Sequence, residues 1–440
     1  MSFLYILLLG LCLLFILTYI FSNRDILSPS VVMTLVFIVS TVFAILNIRN
    51  WEIDYNVSAG LITLSGIFVF FVSEMMGNIF LGKRVKRTTY LNFDFQEITI
   101  DKWKLYFLII FNFFIVIWYF LKIRSIVGGG SIGEIFQEYR RIGVNQLEGK
   151  DVETVGGIIN QFLKIVEGTG YVAGFTLINN YIYKSKKWQQ NVMLVILIGL
   201  SILPGLFGAG RTQVLKLLSS FAIMSYVIWQ QKYGWNKVMS WKVLGKGTLA
   251  AFIGIPAFYY SIALLGRSTT RSLLDYSSNY LSSGMILFSK YIEEPVTRIM
   301  WGEESLPNIL KVLHALNLSP ASTSYNLEFR RLGIGYSNIY SFFRRPYHDF
   351  GLLGMYIFVA LIALWFSFLY FGKIKYMSQS SVTSRWLLVY SYFYYWIISS
   401  SIIQYSVAYV SIGTILNLLV ILLLYQFLIG NSKKIRLRLK

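Results

Sequence analysis

The run FGLLGMYIFVALIALWFSFLYFG, from Phe350 to Gly372, contains no charged residue. Its apolar side chains are continuous rather than alternating, and its length suits a helix crossing ~30 Å of hydrocarbon. In lipid the backbone must satisfy its own hydrogen bonds, which leaves a helix bundle or a closed barrel. The lack of period-two alternation selects helices.

Comparable runs recur at 2–21, 30–47, 57–81, 104–122, 157–182, 190–207, 212–230, 247–265, 386–403 and 411–430. The expected fold class is therefore all-α, a polytopic transmembrane helix bundle of about eleven spans. Composition agrees. A hydrophobic fraction of 56%, a charged fraction of 14% and a mean hydropathy of +0.59 exclude an ordinary soluble domain. Residues 1–440 read as a single integral membrane domain with embedded loops at 123–156 and 266–349. The first run has no basic flank and no small-residue cleavage site, so it is expected to be a span rather than a signal peptide. The single cysteine, Cys12, lies inside it and forms no intramolecular disulfide.

The formal net charge of +20 raises the question of nucleic acid, but the basic residues are grouped in short clusters between spans. That distribution points to membrane lipid as the partner, with no nucleic acid. Odd-numbered connections carry Arg24, then Lys83, Arg84, Lys86 and Arg87, then Lys184, Lys186 and Lys187, and later Lys373, Lys375 and Arg385. Even-numbered short connections carry little beyond Arg49 and Arg211. The positive-inside rule then places the C-terminus in the cytoplasm, and the N-terminus and both long loops outside, in the periplasm.

The loops hold the residues that could carry chemistry. In 123–156, Ile132, Ile135, Phe136, Tyr139 and Ile142 share one helical face, with Glu134, Glu138, Arg140 and Arg141 turned away. Leu306, Ile309, Leu310, Leu313 and Leu316 repeat the pattern in the large loop. Both amphipathic stretches are also explained by packing at the membrane interface. Glu138-Tyr-Arg140-Arg141-Ile-Gly is echoed by Glu328-Phe-Arg330-Arg331-Leu-Gly. With Arg211, Arg267, Arg271, Arg344 and Arg345, one membrane face gathers many guanidinium groups. Arginine binds phosphate bidentately and stays charged, so this set suits a diphosphate. Pairing with loop acids or anionic lipid is the alternative for each.

Three charges fall in the outer halves of spans. Lys164 and Glu167 are three apart and can pair on one helix face, and Lys216 lies about a turn inside its span. Lys216 joins the candidate diphosphate ligands, while all three also read as packing bridges. Glu74 is expected to snorkel toward the cytoplasmic side. Where the large loop enters the membrane stands Arg344-Arg345-Pro346-Tyr347-His348-Asp349. His348 and Asp349 are candidates for a general base, with Glu328 in reserve. Two histidines and one cysteine are too few for a His/Cys zinc site, so no metal is expected. No P-loop, GxSxG or HExxH motif occurs in a credible context.

The segment YSNIYSFFRRPYHDFGLLG, Tyr336 to Gly354, resembles the bacterial O-antigen and capsule polymerases of the Wzy type. Those proteins carry an aromatic-Asp-Phe-Gly-x-x-Gly run after a large periplasmic loop, and an arginine after a glycine pair, matched here by Gly210-Arg211. The RX10G motif of some members is absent from both long loops. The resemblance implies a GT-C-like membrane glycosyltransferase that polymerises oligosaccharide repeat units carried on undecaprenyl diphosphate, at the periplasmic face of the inner membrane. It implies no cofactor, and partners in a chain-length regulator and a flippase. An O-antigen ligase, a polysaccharide-lipid flippase or transporter, and a non-catalytic membrane anchor remain alternatives.

Overall fold

A computed structural model describes residues 3–85, 97–147, 152–184, 187–208, 210–235, 260, 272–320, 327–333, 335–377 and 380–430. The expected span 247–265, together with Arg267 and Arg271, lies outside the described residues apart from Tyr260. Helices stand at every other expected span: α1 (Phe3–Phe21), α2 (Pro29–Leu46), α3 (Val57–Val85), α4 (Lys102–Val127), α6 (Gly157–Ile182), α7 (Trp188–Phe207), α8 (Thr212–Tyr233), α11 (Arg344–Tyr370), α12 (Ser381–Ile398) and α14 (Ile412–Tyr425). Between them lie α5 (Ile132–Leu147), α9 (Leu273–Glu293), α10 (Pro307–Ala315), a short hairpin of β1 (Arg330–Leu332) and β2 (Gly335–Ser337), and α13 (Ser406–Tyr409). Among the described residues, eight helices are long and apolar enough to cross a membrane. The chain is a multi-pass, mostly helical membrane protein.

Two expected spans, α6 and α12, are not among those eight. The reason is where they sit. α6 buries Thr169, Thr176, Asn179 and Asn180, and α12 buries Thr383, Ser384 and Ser391. Helices enclosed by other helices tolerate polar groups that a lipid-facing helix cannot. Gly170 and Gly174 of α6 are pressed against Ser201 of α7 and Phe221 of α8. The GxxxG spacing of these two glycines thus marks a close approach of helices.

Connections 48–56 and 128–131 and the described parts of 294–343 share one end of the bundle, the loop face. At the opposite face Asp25 accepts hydrogen bonds from Tyr226 and Tyr370, each at 2.7 Å, and pairs with Lys375 at 2.6 Å. Glu74 does not snorkel. It is fully buried and accepts hydrogen bonds from Ser28 Oγ and, at 2.6 Å, from Ser30 N, so a side chain of α3 caps the first turn of α2.

The large loop holds a helix that its sequence does not advertise. α9 turns Ser277, Ser278, Ser282, Ser283 and Ser289 inward, so no apolar run marks it. Asp275 accepts from Trp51 Nε1 at 3.1 Å, and Ser289 Oγ from Asn56 N at 2.7 Å. Both partners belong to the α2–α3 connection, so α9 lies across the loop face rather than through the bundle. At its middle, a Cβ on Gly284 would collide with the backbone carbonyls of Ser401 and Ile402.

Gly351 interrupts α11 with φ 68° and ψ −171°. Phe343 packs against Gly66 of α3, and Tyr356 hydroxyl meets the neighbouring Ser65 Oγ at 2.6 Å. A straight helix would separate residues 343 and 356 by about 20 Å. Both reach the same level of α3, so the chain bends sharply between them. Arg344 to Phe350 is a short re-entrant arm within the bundle, not a loop poised above it.

Candidate functional site

The re-entrant arm carries the densest group of charges in the described structure. Arg344 is fully buried. Its guanidinium pairs with Glu304 and, at 2.6 Å, with Glu328, and lies over the rings of Tyr291 and Tyr340 at 4.3 and 5.1 Å. Burying a charge costs several kcal/mol unless it is paired, and this one has two carboxylates and two π faces. Tyr340 hydroxyl donates to the Glu328 carbonyl at 3.1 Å, and burial pushes this phenol well above its ordinary range.

His348 is held from both sides. Nδ1 lies 2.9 Å from the Tyr291 hydroxyl and Nε2 lies 3.0 Å from Glu303 Oε1. A carboxylate only accepts, so the Nε2 proton points at Glu303 and, in the neutral ring, Nδ1 accepts from Tyr291. Burial raises the Tyr291 pKa, keeping that phenol protonated as the donor. Asp349 accepts the backbone N–H groups of Glu304 at 3.2 Å and Ser305 at 2.6 Å. Its carboxylate thus holds the 304–305 turn, and that turn holds Glu303 and Glu304 against His348 and Arg344.

Arg345 is also buried. It donates Nη1 to the Glu304 carbonyl at 2.8 Å, and its Nε has no hydrogen-bond partner. Among the described residues no carboxylate pairs with it. A buried guanidinium with donors to spare is suited to an anion that arrives from outside.

The other candidates are dispersed. Arg330 sits on β1, bonded to the Lys290 carbonyl at 3.0 Å and paired with Glu294 at 3.3 Å and Glu328 at 3.5 Å, so it borders the cluster. Arg331 is exposed on the same hairpin. Arg211, at the start of α8, bonds Tyr276 and Tyr280 hydroxyls and lies 5.7 and 5.6 Å from their ring centroids. These tyrosines stand at the far end of α9 from Tyr291, so α9 bridges Arg211 and the His348 group. Lys216 lies 5.4 and 5.0 Å from the ring centroids of Tyr405 and Tyr409. Glu167 does not bridge to Lys164 but lines a small cavity with Tyr171, Ser201 and Gln213. Arg140 and Arg141 sit exposed on α5, whose Ile135 and Phe136 pack beside Tyr119 and Ile123 of α4. Arg141 pairs with Glu138 at 2.6 Å. The α5 arginines are thus apart from the cluster, and the echo between the two Arg-Arg pairs is one of sequence alone.

Sequence reasoning missed Tyr291, Arg298, Glu303, Glu304 and Ser305. Glu303 and Glu304 fall in a stretch without periodicity, and only the acidic pair itself could have drawn notice. Among the described residues, no three His, Cys, Asp or Glu side chains are grouped to hold a metal ion. No family model, no curated protein and no solved structure matches the chain.

Proposed function

We infer that the protein is a membrane glycosyltransferase that polymerises oligosaccharide repeat units carried on a polyprenyl diphosphate, working at the periplasmic face of a bacterial inner membrane. The observation that supports this best is the re-entrant arm. It sets an imidazole, His348, one helical turn from an incompletely satisfied buried guanidinium, Arg345, at the loop face.

In the reaction, a hydroxyl of the incoming unit attacks C1 of the terminal sugar on the donor lipid. The C1–O bond to the diphosphate breaks as the new C1–O bond forms, and the lipid diphosphate leaves with the bonding electron pair. Arg345 stabilises the charge growing on that leaving group. The hydroxyl proton passes to His348. This requires the hydroxyl to displace Glu303 from Nε2 while the ring proton moves to Nδ1, facing the Tyr291 oxygen. Asp349 acts as a positioning residue through the 304–305 turn, and Glu328 as the counter-charge of Arg344. Holding two lipid-anchored substrates in one recess supplies the orientation that a bimolecular reaction lacks.

The test uses purified full-length protein in nanodiscs with a synthetic undecaprenyl-diphosphate repeat unit and a chelator, products resolved as a ladder. A ladder that is lost in Arg345→Gln and His348→Gln variants, with folding intact, is the expected result. Transfer of the glycan only to an added lipid A core would mean a ligase. Movement of intact lipid across the bilayer without new glycosidic bonds would mean a transporter.

A further inference from the structure

The lipid-facing surface of α11 continues onto the large loop. Leu353, Ile357 and Leu361 are 74%, 56% and 61% exposed and fall at helical spacing, the outward stripe of a membrane helix. At the head of that stripe Phe350 meets Trp301 edge to face at 4.7 Å. Trp301 and Ile299 are themselves exposed, and water gives no reason to display such large apolar groups side by side. They are displayed rigidly. Glu303 accepts the backbone N–H groups of Ile299 and Met300 at 3.0 and 3.1 Å, and Asp349 holds the turn that follows.

Arg298 stands next to this apolar edge. It is exposed, donates Nη1 to the Asp349 carbonyl at 2.6 Å, and pairs with no carboxylate among the described residues. Two guanidinium groups therefore border the contact between the 304–305 turn and Asp349 with no ion-pair partner among the described residues: Arg298 on the carbonyl of Asp349, and Arg345 on that of Glu304. The first is at the membrane edge and the second is inside. A phospholipid phosphate carries about one negative charge, enough for one guanidinium, whereas a diphosphate carries enough charge for both.

We propose that Ile299, Trp301, Phe350 and Leu353 form a lateral entrance for the chain of a polyprenyl diphosphate, and that Arg298 is the cation that receives its diphosphate from the membrane. This rests on the glycosyl-transfer reading for its choice of lipid. The lipid chain lies on the continuous apolar strip, and the headgroup passes from Arg298 to Arg345. Arg298 was not singled out by any pattern in the sequence, since a lone arginine beside an isolated tryptophan has no periodicity.

The experiment is photolabelling in phosphatidylcholine nanodiscs with a sugar-free polyprenyl diphosphate bearing a diazirine near the head of its chain. The expected result is labelling of residues 299–301 and 350–357, displaced by unlabelled undecaprenyl diphosphate but not by undecaprenol, inorganic pyrophosphate or anionic phospholipid. Arg298→Gln should lower labelling about tenfold, with Arg298→Lys retaining more of it and Trp301→Ser shifting the labelled positions. Labelling elsewhere, or labelling unchanged in Arg298→Gln, overturns the proposal, as does equal displacement by anionic phospholipid, which would mean a general lipid belt. A ladder made by the unaltered protein with labelling elsewhere leaves glycosyl transfer standing and removes the entrance. Specific labelling at the entrance without any ladder does the reverse.

Discussion

Arg344 Nη2 lies 2.6 Å from Glu328 Oε2, joining the re-entrant arm to the segment just before the hairpin across sixteen residues of chain. The guanidinium is wholly enclosed. Removing Arg344 strands the Glu304 and Glu328 carboxylates, at about 3–5 kcal/mol, whereas removing Glu328 leaves Arg344 paired with Glu304. Arg344→Met should therefore lower thermal stability in detergent more than Glu328→Ala. Equal loss in both would show that Glu304 does not support the guanidinium.

Tyr291 and Glu303 fix the ring of His348 from opposite sides. If the imidazole takes the acceptor proton, His348→Gln should reduce kcat about 10²–10⁴-fold with KM little changed. Tyr291→Phe removes only the support of Nδ1 and should reduce kcat by a smaller factor. A purely structural role would instead lower the yield of folded protein in both variants and leave the kcat of what remains near normal.

Gly284 is where α9 touches the 399–402 segment. Its carbonyl accepts Ser341 N at 2.9 Å, and the Ser400 carbonyl accepts Phe342 N at 2.8 Å, so three segments meet at backbone level. A methyl group at 284 would press on two carbonyl oxygens that cannot rotate away. Gly284→Ala should cost about 1–3 kcal/mol. Limited proteolysis should then cut the 294–320 region faster. Unaltered cleavage would mean that α9 does not depend on this contact.

At the opposite face, Lys375→Met would leave the Asp25 carboxylate with two tyrosine hydroxyls and no counter-charge. The expected loss is about 3–5 kcal/mol in thermal unfolding. Photolabelling at the loop face should persist below the new melting temperature, because the two charge clusters are at opposite ends of the bundle. Loss of labelling with stability unchanged would mean that the clusters are coupled.

The membrane helices were readable because hydrocarbon imposes a local rule. A run such as Phe350–Gly372 satisfies it without reference to any other segment. The amphipathic pattern at 132–142 was equally local, and α5 forms over it. α9 escaped notice because its inward face is serine, which suits a helix packed among backbone carbonyls yet matches no apolar period. Glu74 was misjudged for a related reason. Its position along α3 is visible in sequence, but not the uncapped turn of α2 that receives it.

Composition and hydrophobic period alone determined that this is a multi-pass helical membrane protein, and they singled out Arg344, Arg345, His348 and Asp349 as an unusual polar group at the head of a span. The tertiary structure alone decided which charges meet. Glu303 and Glu304 stand 45 and 44 residues before His348 and reach it only because Asp349 ties down the intervening turn and Gly351 bends the arm back into the bundle. Burial in lipid is set by each residue and its near neighbours, whereas pairing between charges is set by the path of the whole chain.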